Sequence, residues 1–152
     1  MFDIFYLFPR RHAQMSRICY EVRVAGAAMP MAAMADQGSF GVSVSTDMEN
    51  AAKSSVDSNC LTDFITIPNG VAMGEANLAM AAYKFCGRFL NNQDAMAAPS
   101  VKVCSRAKPF VVGVNFGAGE IIGGTMMGFD DETTLMPTGT VGFHLSYTQD
   151  AM

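Results

Sequence analysis

The side chains of this sequence with the greatest chemical reactivity belong to four cysteines and two histidines. No Cys-x-x-Cys pair occurs and the histidines, His12 and His144, are far apart, so a zinc site has poor support. Cys86 or Cys104 could be paired with His144 as a nucleophile and base, which would suit a small cysteine-dependent hydrolase. Any sequence with these counts offers such pairs, so this hydrolase is the least favoured interpretation.

Other catalytic motifs are missing from the sequence. There is no Gly-x-Ser-x-Gly elbow, no His-Glu-x-x-His pair and no phosphate loop that ends in Gly-Lys-Ser/Thr. The glycines of residues 113–119 follow an apolar run, but their spacing does not fit a dinucleotide-binding loop. The sequence therefore predicts a protein that is not an enzyme.

The amino-acid composition excludes some of the remaining classes of protein. The 152 residues are 50% hydrophobic and 16% charged, which is typical of one globular domain with a hydrophobic core. A net charge of −4 with scattered basic residues argues against a nucleic-acid partner. No apolar run approaches the roughly 18 residues of a membrane span, and residues 2–8 are predicted to form a buried strand rather than a signal peptide.

Alternation of apolar and polar residues predicts most of the secondary structure. The predicted strands are residues 18–24, 39–45, 63–67, 110–116 and 141–147. Many short strands between turn signals predict an all-β fold, a two-sheet antiparallel β-sandwich. The predicted core comprises Phe40, Val42, Val44, Phe64 or Ile65, Val112, Val114, Phe143 and Leu145.

Three other segments carry local predictions. Residues 68–70, Pro-Asn-Gly, are a turn signature that should end the third strand. Residues 29–34 and 75–83 are rich in alanine and methionine, and the second segment is the better candidate for a short helix. Residues 117–139 are rich in glycine and threonine and are predicted to be a mobile connection.

The segment from Asn59 to Leu90 is the most informative. Cys60-Leu61-Thr62-Asp63-Phe64 is followed by Ile67 and Gly70, and then by Phe85-Cys86-Gly87. With the closing Gly142-Phe143 and Tyr147, this order resembles the second half of a CUB domain. Cys19-Tyr20-Glu21-Val22 is similar to part of that family's first half, so the resemblance spans about residues 16–148. In detail it is most similar to divergent CUB-type domains of arthropod secreted proteins.

The resemblance implies a jelly-roll-like, CUB-type sandwich over residues 16–149. Residues 1–15 are then an N-terminal strand or the remnant of a truncated or altered first half, because the family's first cysteine has no counterpart upstream of Cys19. The family pattern also pairs Cys60 with Cys86 in a disulfide. For Cys19 and Cys104 two alternatives stay open: they are bonded to each other, or Cys19 has lost its partner and Cys104 is free.

Many CUB domains bind calcium on an acidic edge, where Asp63 matches one ligand and Glu120 lies near the place of another. Because calcium prefers six to eight oxygens, we expect weak binding or none, and no other cofactor. The resemblance implies a secreted, extracellular, non-catalytic module that binds a protein or a glycan. A structural matrix or cuticle protein is the alternative, for which self-association would be the distinguishing observation.

Overall fold

The computed structural model describes residues 3–23, 39–42, 53–61, 63–75, 78–96, 99–117 and 142–151. These residues form eleven β-strands and two 3-10 turns, Asp57–Asn59 and Leu78–Met80, which confirms the all-β prediction. No helix within the described ranges is long and apolar enough to cross a membrane. The strands are β1 (Asp3–Leu7), β2 (Arg17–Val22), β3 (Phe40–Gly41), β4 (Lys53–Val56), β5 (Phe64–Ala72), β6 (Ala82–Gly87), β7 (Ala95–Met96), β8 (Val103–Ser105), β9 (Val112–Phe116), β10 (Gly142–Phe143) and β11 (Leu145–Asp150).

The long strand β5 connects two antiparallel sheets. One sheet has the strand order β1-β9-β5-β6-β4-β7, and the other has the order β11-β2-β8-β5. The first residues of β5 pair with β9 and β6, whereas its last two residues, Val71 and Ala72, pair with β8. Strands β10 and β3 form a separate small pair. The prediction of an antiparallel two-sheet sandwich is confirmed.

The predicted turn at residues 68–70 is wrong. Strand β5 continues to Ala72, and its register against β6 shifts between Thr66 and Gly70. Asn69 has φ 51°, a left-handed conformation that asparagine tolerates, and the Pro68 carbonyl accepts a hydrogen bond from the Ser105 hydroxyl. The turn-forming residues therefore make a β-bulge, which bends β5 from one sheet into the other.

The candidate helix over residues 75–83 is limited to a single turn in its described part. The described part of this segment contains one short 3-10 turn, and β6 begins at Ala82. Strand pairing with β5 outweighs the helix propensity of alanine and methionine, because it buries Ala82 and Phe85 in the core. The second candidate helix, residues 29–34, lies outside the described residues, as do residues 118–139 of the predicted connection.

The core lies between the two sheets and contains most of the predicted side chains. Phe40, Val42, Ile65, Val112 and Val114 are at most 3% exposed, and Phe143 and Leu145 pack against them while partly buried. Ile65 occupies the core rather than Phe64, and Val44 lies outside the described residues. Core residues that the prediction missed are Ile18, Tyr20, Ile67, Ala82, Phe85, Leu90, Val103 and Phe110.

The N-terminal segment forms a strand as predicted, but the prediction that it is buried is wrong. Ile4 is 59% exposed and Phe8 is 66% exposed. Strand β1 pairs with β9 along its whole length and lies at the margin of the sheet. Its apolar side chains therefore remain in contact with solvent. The division into residues 1–15 and 16–149 stays a prediction.

Candidate binding surface

The four cysteines form two disulfides in the structure. Cys60 bonds Cys86 with Cα atoms 5.7 Å apart, and Cys19 bonds Cys104 with Cα atoms 3.9 Å apart. Of the two alternatives for Cys19 and Cys104, the structure has the bonded one, and the two residues lie directly opposite each other on the neighbouring strands β2 and β8. With all four sulfurs bonded, none is a thiol that could act as a nucleophile.

His144 lies between β10 and β11 with an exposed side chain. Its backbone N–H donates to the Ser39 carbonyl, and its carbonyl accepts from the Arg23 N–H. These contacts link the small β10–β3 pair to the larger sheet. The described contacts of His144 are therefore structural, and its two candidate partners, Cys86 and Cys104, are in disulfides.

Asp63 is held by a structural hydrogen bond at the start of β5. Its side chain is buried, and Oδ1 accepts the N–H of Gly117 at 2.7 Å, which ties the beginning of β5 to the end of β9. Glu120, the other candidate calcium ligand, lies outside the described residues. Within those residues no group of three or more potential metal ligands occurs. Weak or absent calcium binding stays a prediction.

The structure brings together a surface that sequence reasoning did not identify. On β1, β9, β5 and β6 the paired residues Tyr6, Gly113, Thr66 and Lys84 form one row, and Ile4, Asn115 and Phe64 form the next. Residues that alternate with these, such as Ile65 and Val114, point into the core. The two rows therefore form the opposite side of the sheet, which we call the outer face; Tyr6 and Ile4 on it are exposed, whereas Thr66 and Gly113 are buried.

Gly113 allows an aromatic ring to approach the outer face closely. A Cβ atom at Gly113 would lie 3.0 Å from the Tyr6 ring and 2.3 Å from the Thr66 hydroxyl oxygen. The Gly113 N–H donates to that hydroxyl at 3.1 Å. Phe8 lies beside Tyr6, with ring centroids 6.4 Å apart. Exposed aromatic rings therefore cover the β1 side of the outer face.

A positive charge lies on the other side of the outer face. The Lys84 Nζ is 4.3 Å from the centroid of the Phe64 ring, a cation–π contact. Asp57 positions Lys84, because its Oδ1 accepts the backbone N–H groups of Tyr83 and Lys84 at 2.8 and 2.9 Å. The disulfide of Cys86 fastens the same strand two residues further on. The lysine is thus presented from a rigid backbone.

Arg88 is an unusual residue next to this strand. It is 1% exposed, and none of its three guanidinium nitrogens has a hydrogen-bond partner among the described residues. Burial disfavours the charged form and lowers the pKa of Arg88 to about 10. The residue lies inside the fold, so it affects the stability of the protein and is not part of the outer face.

The outer face was missed for a physical reason. The alternation of residues 63–67 already separates Phe64 and Thr66 from Ile65, and this signal could have marked an outward side. The pairing of β1 with β9 joins residues that are about 110 apart in the sequence, and no local pattern specifies this pairing. Without knowledge of that pairing, nothing in the sequence indicates that Tyr6 and Lys84 lie on the same face of the sheet.

Comparison with known proteins identifies one family. The sequence matches the animal CUB domain over residues 7–150. No curated protein and no solved structure was found to match the chain. The match covers all strands from β2 to β11 and therefore includes both disulfides.

Proposed function

Because this chain belongs to the animal CUB domain family, we propose that it is a secreted, non-catalytic module that recognises an extracellular protein. CUB domains are in general extracellular binding modules, and two disulfides fit an oxidising compartment. The bonded cysteines also weigh against the cysteine-dependent hydrolase, since that mechanism requires a thiolate.

The outer face is the observation that carries this proposal. Tyr6 is 58% exposed, and tyrosine at an interface combines a large apolar ring with a hydroxyl that can hydrogen-bond. Lys84 adds a charge that an acidic group of the partner would complement. A broad sheet surface with aromatic and charged groups suits a protein partner, whose own surface is equally broad.

The test is a binding screen with the multimerised full chain against an array of extracellular protein domains, with a glycan array in parallel. Tyr6→Ser and Lys84→Glu alter the outer face, and Tyr147→Ser is the matched control. Tyr147 is 51% exposed on β11, in the other sheet.

We expect a protein ligand whose affinity falls by about tenfold or more, equivalent to about 1.4 kcal/mol, in the outer-face variants but not in Tyr147→Ser. Binding to glycans alone would show that the ligand is a glycan and that the proposed protein ligand is wrong. Loss of protein binding in Tyr147→Ser, with Tyr6→Ser and Lys84→Glu unaffected, would move the site to the other sheet.

A further inference from the structure

Strand β1 has a free edge. Among the strands that the structure describes, β1 pairs with β9 alone, so its other side offers backbone N–H and C=O groups to solvent. Natural edge strands are usually blunted by lysine, proline, a bulge or short length. Within β1 the charge is confined to Asp3 at its start, no proline occurs, and the register with β9 is regular over five residues.

The side chains along this edge are large, apolar and exposed. Ile4 is 59%, Phe5 42%, Tyr6 58%, Leu7 47% and Phe8 66% exposed. With roughly 200 Å² for each such side chain, about 500 Å² of surface remains open on one copy. Pairing two copies would remove up to about 1,000 Å² in total, which is the lower limit for a specific protein interface and fits a dimer of moderate affinity.

We propose that two copies of this chain form a homodimer in which their β1 strands pair antiparallel. This pairing joins the sheets of the two copies into one continuous sheet, and it satisfies the free backbone groups of both edges at once. A two-fold axis across β1 places each strand against its own equivalent, so the interface closes and leaves no β1 edge for a third copy.

The sheet edge at β11 differs in chemistry. Its residues between Leu145 and Asp150 are mostly polar, and Asp150 is already paired with Arg17 of β2 through two hydrogen bonds of 2.8 and 2.6 Å. Pairing of β1 with β11 of another copy would generate an open chain of subunits. Antiparallel pairing of β1 with itself buries more apolar surface, since each exposed side chain meets another apolar one.

The proposal is tested by the oligomeric state of the full chain from about 1 to about 100 µM, measured by sedimentation velocity and light scattering. Ile4→Lys places a charge at the edge, where a continuous sheet would bring it against apolar side chains. Leu61→Lys is the matched control, because Leu61 is 81% exposed and precedes β5 rather than lying on β1. Hydrogen exchange of the β1 amides at both concentrations reports on pairing directly.

We expect a mass of twice the 16.3 kDa chain, with slower exchange of β1 amides at the higher concentration. Ile4→Lys should raise the dissociation constant by about tenfold or more, and Leu61→Lys should leave it unchanged. A monomer at about 100 µM with unprotected β1 amides would overturn the proposal. Oligomers that keep growing with concentration would overturn the closed two-fold arrangement, and equal weakening by Leu61→Lys would exclude β1 as the interface. None of these outcomes depends on whether the outer face binds a ligand.

Discussion

Replacing the buried Arg88 by methionine should stabilise the protein. A buried charge without hydrogen bonds loses its hydration and gains nothing in return, so its removal is favourable if the new side chain fills the same space. Methionine is unbranched and adapts to an irregular cavity. The change therefore tests whether the guanidinium of Arg88, 1% exposed, is unpaired in solution, as it is with respect to the residues that the structure describes.

The magnitude follows from the pKa of Arg88. The fall of this pKa to about 10 on burial corresponds to a desolvation cost on the order of 3 kcal/mol, since each pKa unit is equivalent to about 1.4 kcal/mol. Imperfect packing of methionine offsets part of this gain, so the free energy of unfolding should rise by about 1–3 kcal/mol. Because the folded-state pKa lies below the unfolded value, the cost is fully present below about pH 10 and declines as the pH rises through that value. The gain should therefore be equal at about pH 5 and about pH 8.

Urea unfolding without reductant measures this change. Arg88→Met should move the midpoint upward at an unchanged m-value. Arg88→Lys keeps a buried charge and should give no gain, and Arg11→Met, at an exposed position, should stay within about 0.5 kcal/mol of the parent. A loss of about 1 kcal/mol or more in Arg88→Met would refute the reasoning, because it would mean that the guanidinium is satisfied in solution.

Three further predictions concern ion pairs, disulfides and calcium. Arg17 holds the pKa of the Asp150 carboxyl below its usual value, so Asp150→Asn should cost at most about 1 kcal/mol of stability at pH 7. This cost should vanish in acid, as the pH falls through the lowered folded-state pKa, and urea unfolding at each pH measures it. Unreduced peptide mapping should recover Cys60 linked to Cys86, and the Cys60→Ala/Cys86→Ala variant should lose about 3 kcal/mol in the same unfolding assay, whereas an unchanged stability would contradict the disulfide. Titration calorimetry should detect no saturable calcium binding below about 0.1 mM, and tight binding that disappears in Asp63→Ala would contradict this expectation.

Local sequence patterns predicted the strands that bury the same face along their length. Phe40, Val42, Val112 and Val114 alternate with smaller or polar residues, and each lies in the core because one face of its strand is buried. The spacing of Cys60 and Cys86 resembled a family pattern, and the structure has that bond. Both kinds of signal are contained in a short stretch of sequence.

The failures arise where distant parts of the chain determine the outcome. Residues 68–70 have turn propensity, but β8 provides a partner for Val71 and Ala72, so the chain bends and stays paired. Apolar residues in β1 suggest burial, yet their exposure depends on which strand β1 joins and on what lies beyond it. The outer face shares this dependence, because its two ends come from residues about 80 apart in sequence.

The shared strand β5 also affects how the protein opens. A strand that is hydrogen-bonded to β9, β6 and β8 cannot leave one sheet without disturbing the other, because its bulge transmits any displacement along the backbone. Fluctuations that expose the core must therefore break both sheets together, which makes unfolding a single cooperative event rather than the peeling of one layer. Proteases that need an extended, detached segment would consequently find β5 only in fully unfolded molecules, while strands such as β1, held by one neighbour, are accessible far earlier.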